Sequence, residues 1–329
     1  MVDNNLFLST IFLINNFYLY IIRKTMQSEL NSITKNVRKI LRPKLKQFPK
    51  IHKLTIDVHR KYCDITGFMH ILPDFYVLGG EKCGSSALYE YIIKHPHVES
   101  AVTKEIHYFD RWFSRGLNWY RVCFPFSTHK FFSNKITKRD FLTGEATPRY
   151  LYHPHSLDRI KKLTPNAKFL IILRNPIDRA FSHYNMNMNI GFEKLSFEDA
   201  IKSENSRIEN EYEKMKLDEN YYSTTYYRFS YLERGIYYKF LENWFKHFPR
   251  NQFMIIKSED LLKNPHITYP KILKFLNLKD WVPAEFKQVR VSSYGKRKMD
   301  LQIRKYLEEF FEPHNLKLYD LLDNDFGWN

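Results

Sequence analysis

The chain has 329 residues, 43% of them hydrophobic and 17% aromatic, enough to bury one large core or two modest ones. Lys and Arg number 52 against 36 Asp and Glu, a formal charge of +16 that points to an anionic partner: nucleic acid, anionic membrane, polyanionic glycan or phosphorylated cofactor. Cys63, Cys83 and Cys123 are too few and too scattered for a disulfide framework or a zinc site, and no N-x-S/T sequon is present, so neither feature argues for a secretory compartment.

Residues 6–22, LFLSTIFLINNFYLYII, carry no charge and reach the lower length limit of a membrane span, interrupted by Asn15 and Asn16. Asp3 precedes them and Arg23, Lys24, Lys35, Arg38 and Lys39 follow; positive residues favour the cytoplasmic side, which weakens a lumenal placement of the rest. Residues 1–25 are read as a membrane anchor or a leader, with Met26 as an alternative start. A membrane-anchored protein, Golgi-type in a eukaryote, and a cytoplasmic one both stay open. Residues 26–72 are basic and loosely amphipathic, broken by Pro43 and Pro49. They read as a stem or linker, or as a polybasic surface for anionic lipid. The folded domain is expected over residues 73–329.

Its first element is FYVLGGEKCGSSALY, residues 75–89. Phe75 to Leu78 suit a buried strand, Gly79 and Gly80 end it, and Ser85 and Ser86 open a helix. Strand, glycine turn and helix start aim backbone N–H groups and a helix dipole at one point, where Lys82 adds a full charge, so the stretch suits a phosphate or sulfate. Lys82 precedes Gly84, whereas a Walker loop, GxxxxGK followed by S or T, has its lysine after the second glycine, so ATP and GTP are disfavoured. An ordinary α/β connection is the alternative reading.

The helix that follows stops before Pro96. Next, TKEIHYFD crowds Lys104, Glu105 and His107 together; as extended chain it sets Glu105 and His107 on one face, as a carboxylate and imidazole pair or as a solvated strand edge. FLTGEATPRYLYHP, with Gly144, Pro148 and Pro154, reads as mostly loop with a short helical entry. Phe169 to Leu173 form a second apolar strand, broken at Asn175 and Pro176 before a helix that begins near Ile177 and carries Ser182. Arg174 ends that strand, where ligands bind in open α/β sheets; it can fork a phosphate or bridge to Asp178.

Residues 193–231 are acidic and tyrosine-rich without clear periodicity, an insertion over the site or solvent-facing decoration. An amphipathic helix from Glu233 presents Tyr237, Phe240, Leu241, Trp244 and Phe245; a strand over Phe253 to Ile256, a short helix, a basic loop over residues 288–300 and a last helix over residues 301–322 complete the chain. Repeated strand, loop and helix units predict one α/β domain, P-loop-like, with a central parallel sheet flanked by helices.

Four stretches in this order, EKCGSSALYEYIIKHPHV, KEIHYFD, ILRNPIDRAFSHY and EPHNLKLYDLLDNDFGWN, resemble the sulfotransferases that modify glycosaminoglycan and other carbohydrate hydroxyls using 3′-phosphoadenosine 5′-phosphosulfate (PAPS). The similarity runs from about Asp74 to the C-terminus. It implies that Lys82, Cys83, Gly84, Ser85 and Ser86 hold the 5′-phosphosulfate end, that Arg174 and Ser182 hold the 3′-phosphate, and that Gly295 and Lys296 lie on the adenosine side. It further implies Glu105 as general base with His107 assisting, Lys82 as a catalytic charge, no metal, an anionic glycan or other hydroxyl acceptor, and no nucleic acid. Two departures bear on the acceptor. GEATPRY has Ala146 where the heparan enzymes commonly carry a lysine, leaving Arg149 as the nearby cation, and SSYGKRK replaces a cysteine-flanked loop. A sulfotransferase for protein tyrosine or a small alcohol or phenol, and a silent polyanion-binding protein, are the alternatives.

Overall fold

Continuous apolar runs suit strands covered on both faces, and three of them form the middle and one edge of a five-stranded parallel sheet. The computed structural model describes residues 49–137, 141–286 and 298–328. Strands β1 (Phe75–Gly79), β2 (Val98–Ser100), β3 (Leu142–Ala146), β4 (Lys168–Leu173) and β5 (Phe253–Lys257) lie in the order β2-β3-β1-β4-β5. Every pairing is parallel, with β1 between β3 and β4. The expected single α/β domain with a helix-flanked parallel sheet is what forms.

Alternation along the strands splits the core in two. Tyr76, Leu78, Phe169, Ile171 and Leu173 enter one cluster, and Phe75, Val77, Leu170 and Ile172 the other. All nine are buried, each worth about 1.5–3 kcal/mol for the aliphatic and phenylalanine side chains. The expected aromatic face of helix Tyr237–His247 buries Tyr237, Phe240, Leu241 and Trp244, and the last helix forms as Leu301–Leu322.

Three stretches differ from expectation. The GEATPRY stretch supplies β3 rather than a loop: Gly144 sits where a Cβ would meet the Phe75 carbonyl oxygen at 2.5 Å, so the glycine permits close strand approach instead of breaking the strand. Residues 104–107 are not extended; Glu105 and His107 have φ of 62° and 57°, left-handed backbone. Residues 193–231 are not solvent-facing decoration. They form the short helices Phe197–Lys202, Glu204–Ile208, Glu211–Leu217 and Thr224–Phe229, with Tyr226, Tyr227 and Tyr231 buried in the core.

The chain divides into two compact units, Met1–Tyr62 and Cys63–Asn329. Of the first, the described part is the opening of helix Pro49–Thr66, which lies within the expected stem. The expected anchor at residues 6–22 lies outside the described residues. Among those described, no helix is long and apolar enough to cross a membrane.

Candidate functional site

From β1 the chain runs to β2 and β3 on one side, and from β4 to β5 on the other. The crevice at the carboxyl ends of β1 and β4 is therefore a topological switch point, the place where open α/β sheets bind ligands. The loop after β1 begins with the Cys83 N–H donating to the Gly80 carbonyl at 3.1 Å. The Cys83 thiol faces the core, 3.7 Å from Tyr237 Oη, so Cys83 closes the turn from beneath. Lys82 (φ 75°) and Gly84 (φ 96°) are left-handed, and Gly84 is the N-cap of helix Ser85–Ile93, whose first amides no side chain caps.

Arg174 follows β4 and donates from Nη1 to the Lys82 carbonyl at 3.3 Å, so the two residues expected at opposite ends of one ligand are neighbours through the Lys82 backbone. The alternative bridge from Arg174 to Asp178 does not form; Asp178 pairs with Arg304 at 3.1 Å. Asn175 caps helix Pro176–Asn189 by accepting from Ile177 N at 2.9 Å, and Ser182 stands in the second turn of that helix, half-buried. Across the crevice, at the end of β5, the buried Ser258 Oγ has no hydrogen-bond partner and lies 3.4 Å from where a Gly84 Cβ would stand. An uncapped helix start, Lys82, Arg174 and this orphaned hydroxyl make a donor-rich cradle that fits a phosphorylated ligand.

The acidic side of the site is fastened to β3. Glu105 N–H donates to the Ala146 carbonyl at 3.1 Å, which places the 105–107 segment at the carboxyl end of the strand next to β1. Left-handed backbone at both residues still brings the side chains together, with His107 Nε2 3.7 Å from Glu105 Oε2. His107 Nδ1 meets Asp110 Oδ2 at 2.9 Å, and the Lys104 ammonium pairs with the other oxygen of Glu105. Burial would raise the Glu105 pKa, but His107 and Lys104 outweigh it and bring it to about 2. Burial would lower that of His107, but Asp110 and Glu105 lift it to about 9. Near neutral pH the group is a carboxylate beside an imidazolium.

Sequence reasoning named Lys104 without giving it a role and missed Asp110 and Ser258, and also Glu81, whose carboxylate is held by Arg149 at 3.1 Å and Arg234 at 2.9 Å. Arg149, noted in the sequence as a nearby cation, is thus engaged internally. Asp110 had a signal, since it lies three residues after His107; the Glu81 cluster had none, its members being 68 and 153 residues apart. Gly295 and Lys296 lie outside the described residues. Among those described, no group of three His, Cys, Asp or Glu is arranged to hold a metal ion.

The sulfotransferase domain family matches residues 72–312. The human heparan sulfate glucosamine 3-O-sulfotransferase 3B1 is 29% identical over 285 residues, covering 78% of this chain and 65% of its own length. The membrane-associated sulfotransferase kil1 of Dictyostelium discoideum is 26% identical over 329 residues, covering 80% of this chain and 68% of its own. The chain thus spans about two thirds of the length of such relatives. A sulfotransferase crystal structure from Alicyclobacillus acidocaldarius superposes with a TM-score of 0.60 at 27% identity, covering 78% of this chain and 99% of that one.

Proposed function

Because the chain belongs to the sulfotransferase domain family, we propose that it transfers a sulfuryl group from PAPS to a hydroxyl of a glycosaminoglycan-like carbohydrate. The observation that carries this reading is the convergence of three adjacent strand ends: the anion loop after β1, Arg174 after β4 and the Glu105, His107 and Asp110 group fastened to β3. Relatives named for heparan sulfate glucosamine support the glycan acceptor, and the +16 charge suits an acidic polymer. A membrane-associated relative supports anchoring through residues 6–22.

PAPS, when bound, supplies an activated sulfuryl group on a phosphate leaving group. Lys82, Gly84, Ser85 and Ser86 would hold its 5′ end, where the Lys82 ammonium and the uncapped amides offset negative charge. Arg174 and Ser182 would hold the 3′-phosphate that ATP lacks, and Ser258 Oγ is placed to donate into the cradle. Glu105, ionised throughout the physiological range, would accept the proton of the acceptor hydroxyl, a role worth roughly 10²–10⁴-fold. His107, held by Asp110, steadies that carboxylate.

The test is a thermal-shift comparison of adenosine 3′,5′-bisphosphate with ATP. A ligand that binds only the folded state at about 100 times its Kd adds about 2.7 kcal/mol, so the bisphosphate should raise the Tm clearly more than ATP does. Equal shifts would overturn the donor assignment.

A further inference from the structure

Lys82 holds a backbone conformation that a residue with a Cβ enters at a cost, and such conformations persist where the surroundings over-determine them. The residue before it supplies that restraint. Glu81 Oε1 accepts from Arg149 Nη2 at 3.1 Å, and Oε2 accepts from Arg234 Nη1 at 2.9 Å and from Arg149 Nε at 3.4 Å. Arg149 follows β3, and Arg234 stands in the turn Glu233–Gly235 ahead of helix Tyr237–His247. Each arginine is fixed in its turn. Arg149 donates to Tyr222 Oη at 2.6 Å; Arg234 donates to the Tyr227 carbonyl at 2.6 Å and to Ser230 Oγ at 2.8 Å.

Burial would push the Glu81 carboxyl up, yet the two guanidiniums hold it well below the usual carboxylate range. Two guanidiniums therefore meet one partly buried anion. Loss of that anion would leave two like charges, partly or wholly buried, behind a loop that already carries Lys82 and touches Arg174, and breaking one side of such a cluster is costly. An arginine fork on a carboxylate fixes direction as well as distance, so the clamp orients the chain on the amino side of Lys82 while the Arg174 bond fixes its carbonyl.

We propose that Glu81, clamped by Arg149 and Arg234, is a positioning residue that sets the conformation of Lys82 and so pre-forms the anion loop, and that Tyr222 extends this support into the 193–231 segment. The inference rests on the sulfotransferase reading for the identity of the anion, though the tether itself does not. Both Glu81 oxygens are engaged by its arginines; its effect is to remove the ordering cost that the anion would otherwise meet on binding.

Two variants and two measurements test it. E81Q removes the charge, and Y222F removes one hydrogen bond at the far side of the clamp, serving where E81Q does not fold. Hydrogen exchange of amides 80–88 is measured without ligand, and the Kd for adenosine 3′,5′-bisphosphate by calorimetry. E81Q should speed loop exchange roughly tenfold while leaving β4 amides unchanged, as expected for local opening, and should weaken the bisphosphate by about tenfold; Y222F should shift both by roughly threefold, in line with one lost hydrogen bond. Unchanged loop exchange in both variants, or faster exchange at unaltered affinity, would overturn the proposal. If the wild-type protein ignores the bisphosphate while E81Q still loosens the loop, the tether stands and the donor assignment fails.

Discussion

Arg174 donates a hydrogen bond from Nη1 to the backbone carbonyl of Lys82, at 3.3 Å and across 92 residues of sequence. The contact closes at the switch point between β1 and β4, where two runs of chain leave the sheet in opposite directions. A glycine turn alone is a common α/β connection. A glycine turn whose lysine carbonyl accepts from an arginine of the next strand end, near a serine hydroxyl without a partner, gathers donors and positive charge at one point, as an anion site requires.

Replacing Arg174 with alanine should therefore act twice. The bisphosphate loses a guanidinium, which binds phosphate as a fork, and the loop loses the bond on the Lys82 carbonyl. Affinity for adenosine 3′,5′-bisphosphate should fall by roughly 10- to 100-fold, the range of one charged hydrogen-bonding pair at about 1.5–3 kcal/mol. The preference over adenosine 5′-phosphate should narrow as well. Calorimetry on both nucleotides reads the two effects apart, and an unaltered preference would remove Arg174 from the 3′-phosphate.

Glu105→Gln keeps the shape and removes the basic oxygen. Sulfate transfer should drop by about 10²–10⁴-fold, measured with radiolabelled donor, while bisphosphate affinity should hold or rise, because Lys104 loses the carboxylate it now pairs with. Weakened bisphosphate binding in this variant would mean that Glu105 belongs to the cradle rather than to the base.

The parts of the site that were legible in the sequence are those written locally. β1, β4 and β5 are unbroken apolar runs, and a strand buried on both faces leaves that trace. β3 left none: Gly144 and Glu145 lower strand propensity, and what overrides it is tertiary, the close approach to Phe75 and the bonds that Glu145 accepts from Tyr120 and Thr147 at 2.5 and 2.8 Å. The pairing of Glu105 with His107 was foreseen for the wrong geometry. Extended chain and two left-handed residues both bring the side chains at i and i+2 together, and only the backbone angles separate them. The Glu81 clamp joins three distant segments and has no local signature at all.

Gly144 lets β1 and β3 approach closely, and a side chain there is destabilising. A methyl there would lie 2.5 Å from the Phe75 carbonyl oxygen and 2.6 Å from its ring, in the centre of a paired sheet where backbone cannot retreat. Gly144→Ala should cost about 1–3 kcal/mol, as overpacking does. A lowered urea midpoint at unchanged m-value would show it, and a midpoint equal to wild type would mean that β1 and β3 are not in this register.

His107 gives the protein a dependence on alkaline pH. Burial, and to a lesser extent the Arg149 charge, would lower its pKa, but Nδ1 meets Asp110 at 2.9 Å and Nε2 lies 3.7 Å from Glu105, and the balance lifts it from 6.5 to about 9. A group that binds its proton more tightly in the folded state contributes its full stabilisation below the unfolded pKa and loses it as pH climbs through the folded one, so this contribution fades between pH 6.5 and about 9. Glu105 has the opposite sign: its pKa drops from 4.5 to about 2, so its share is complete above 4.5 and lost only as pH falls through about 2. Asp110→Asn takes away the carboxylate that most favours the imidazolium, so it should bring the His107 titration back toward neutrality and flatten the loss of stability from pH 6.5 to 9. Urea midpoints across that range, with the His107 ring followed by NMR, separate the outcomes. A wild-type His107 titrating near 6.5, or an Asp110→Asn curve that overlays the wild type, would dissolve the Asp110, His107 and Glu105 group as an electrostatic unit.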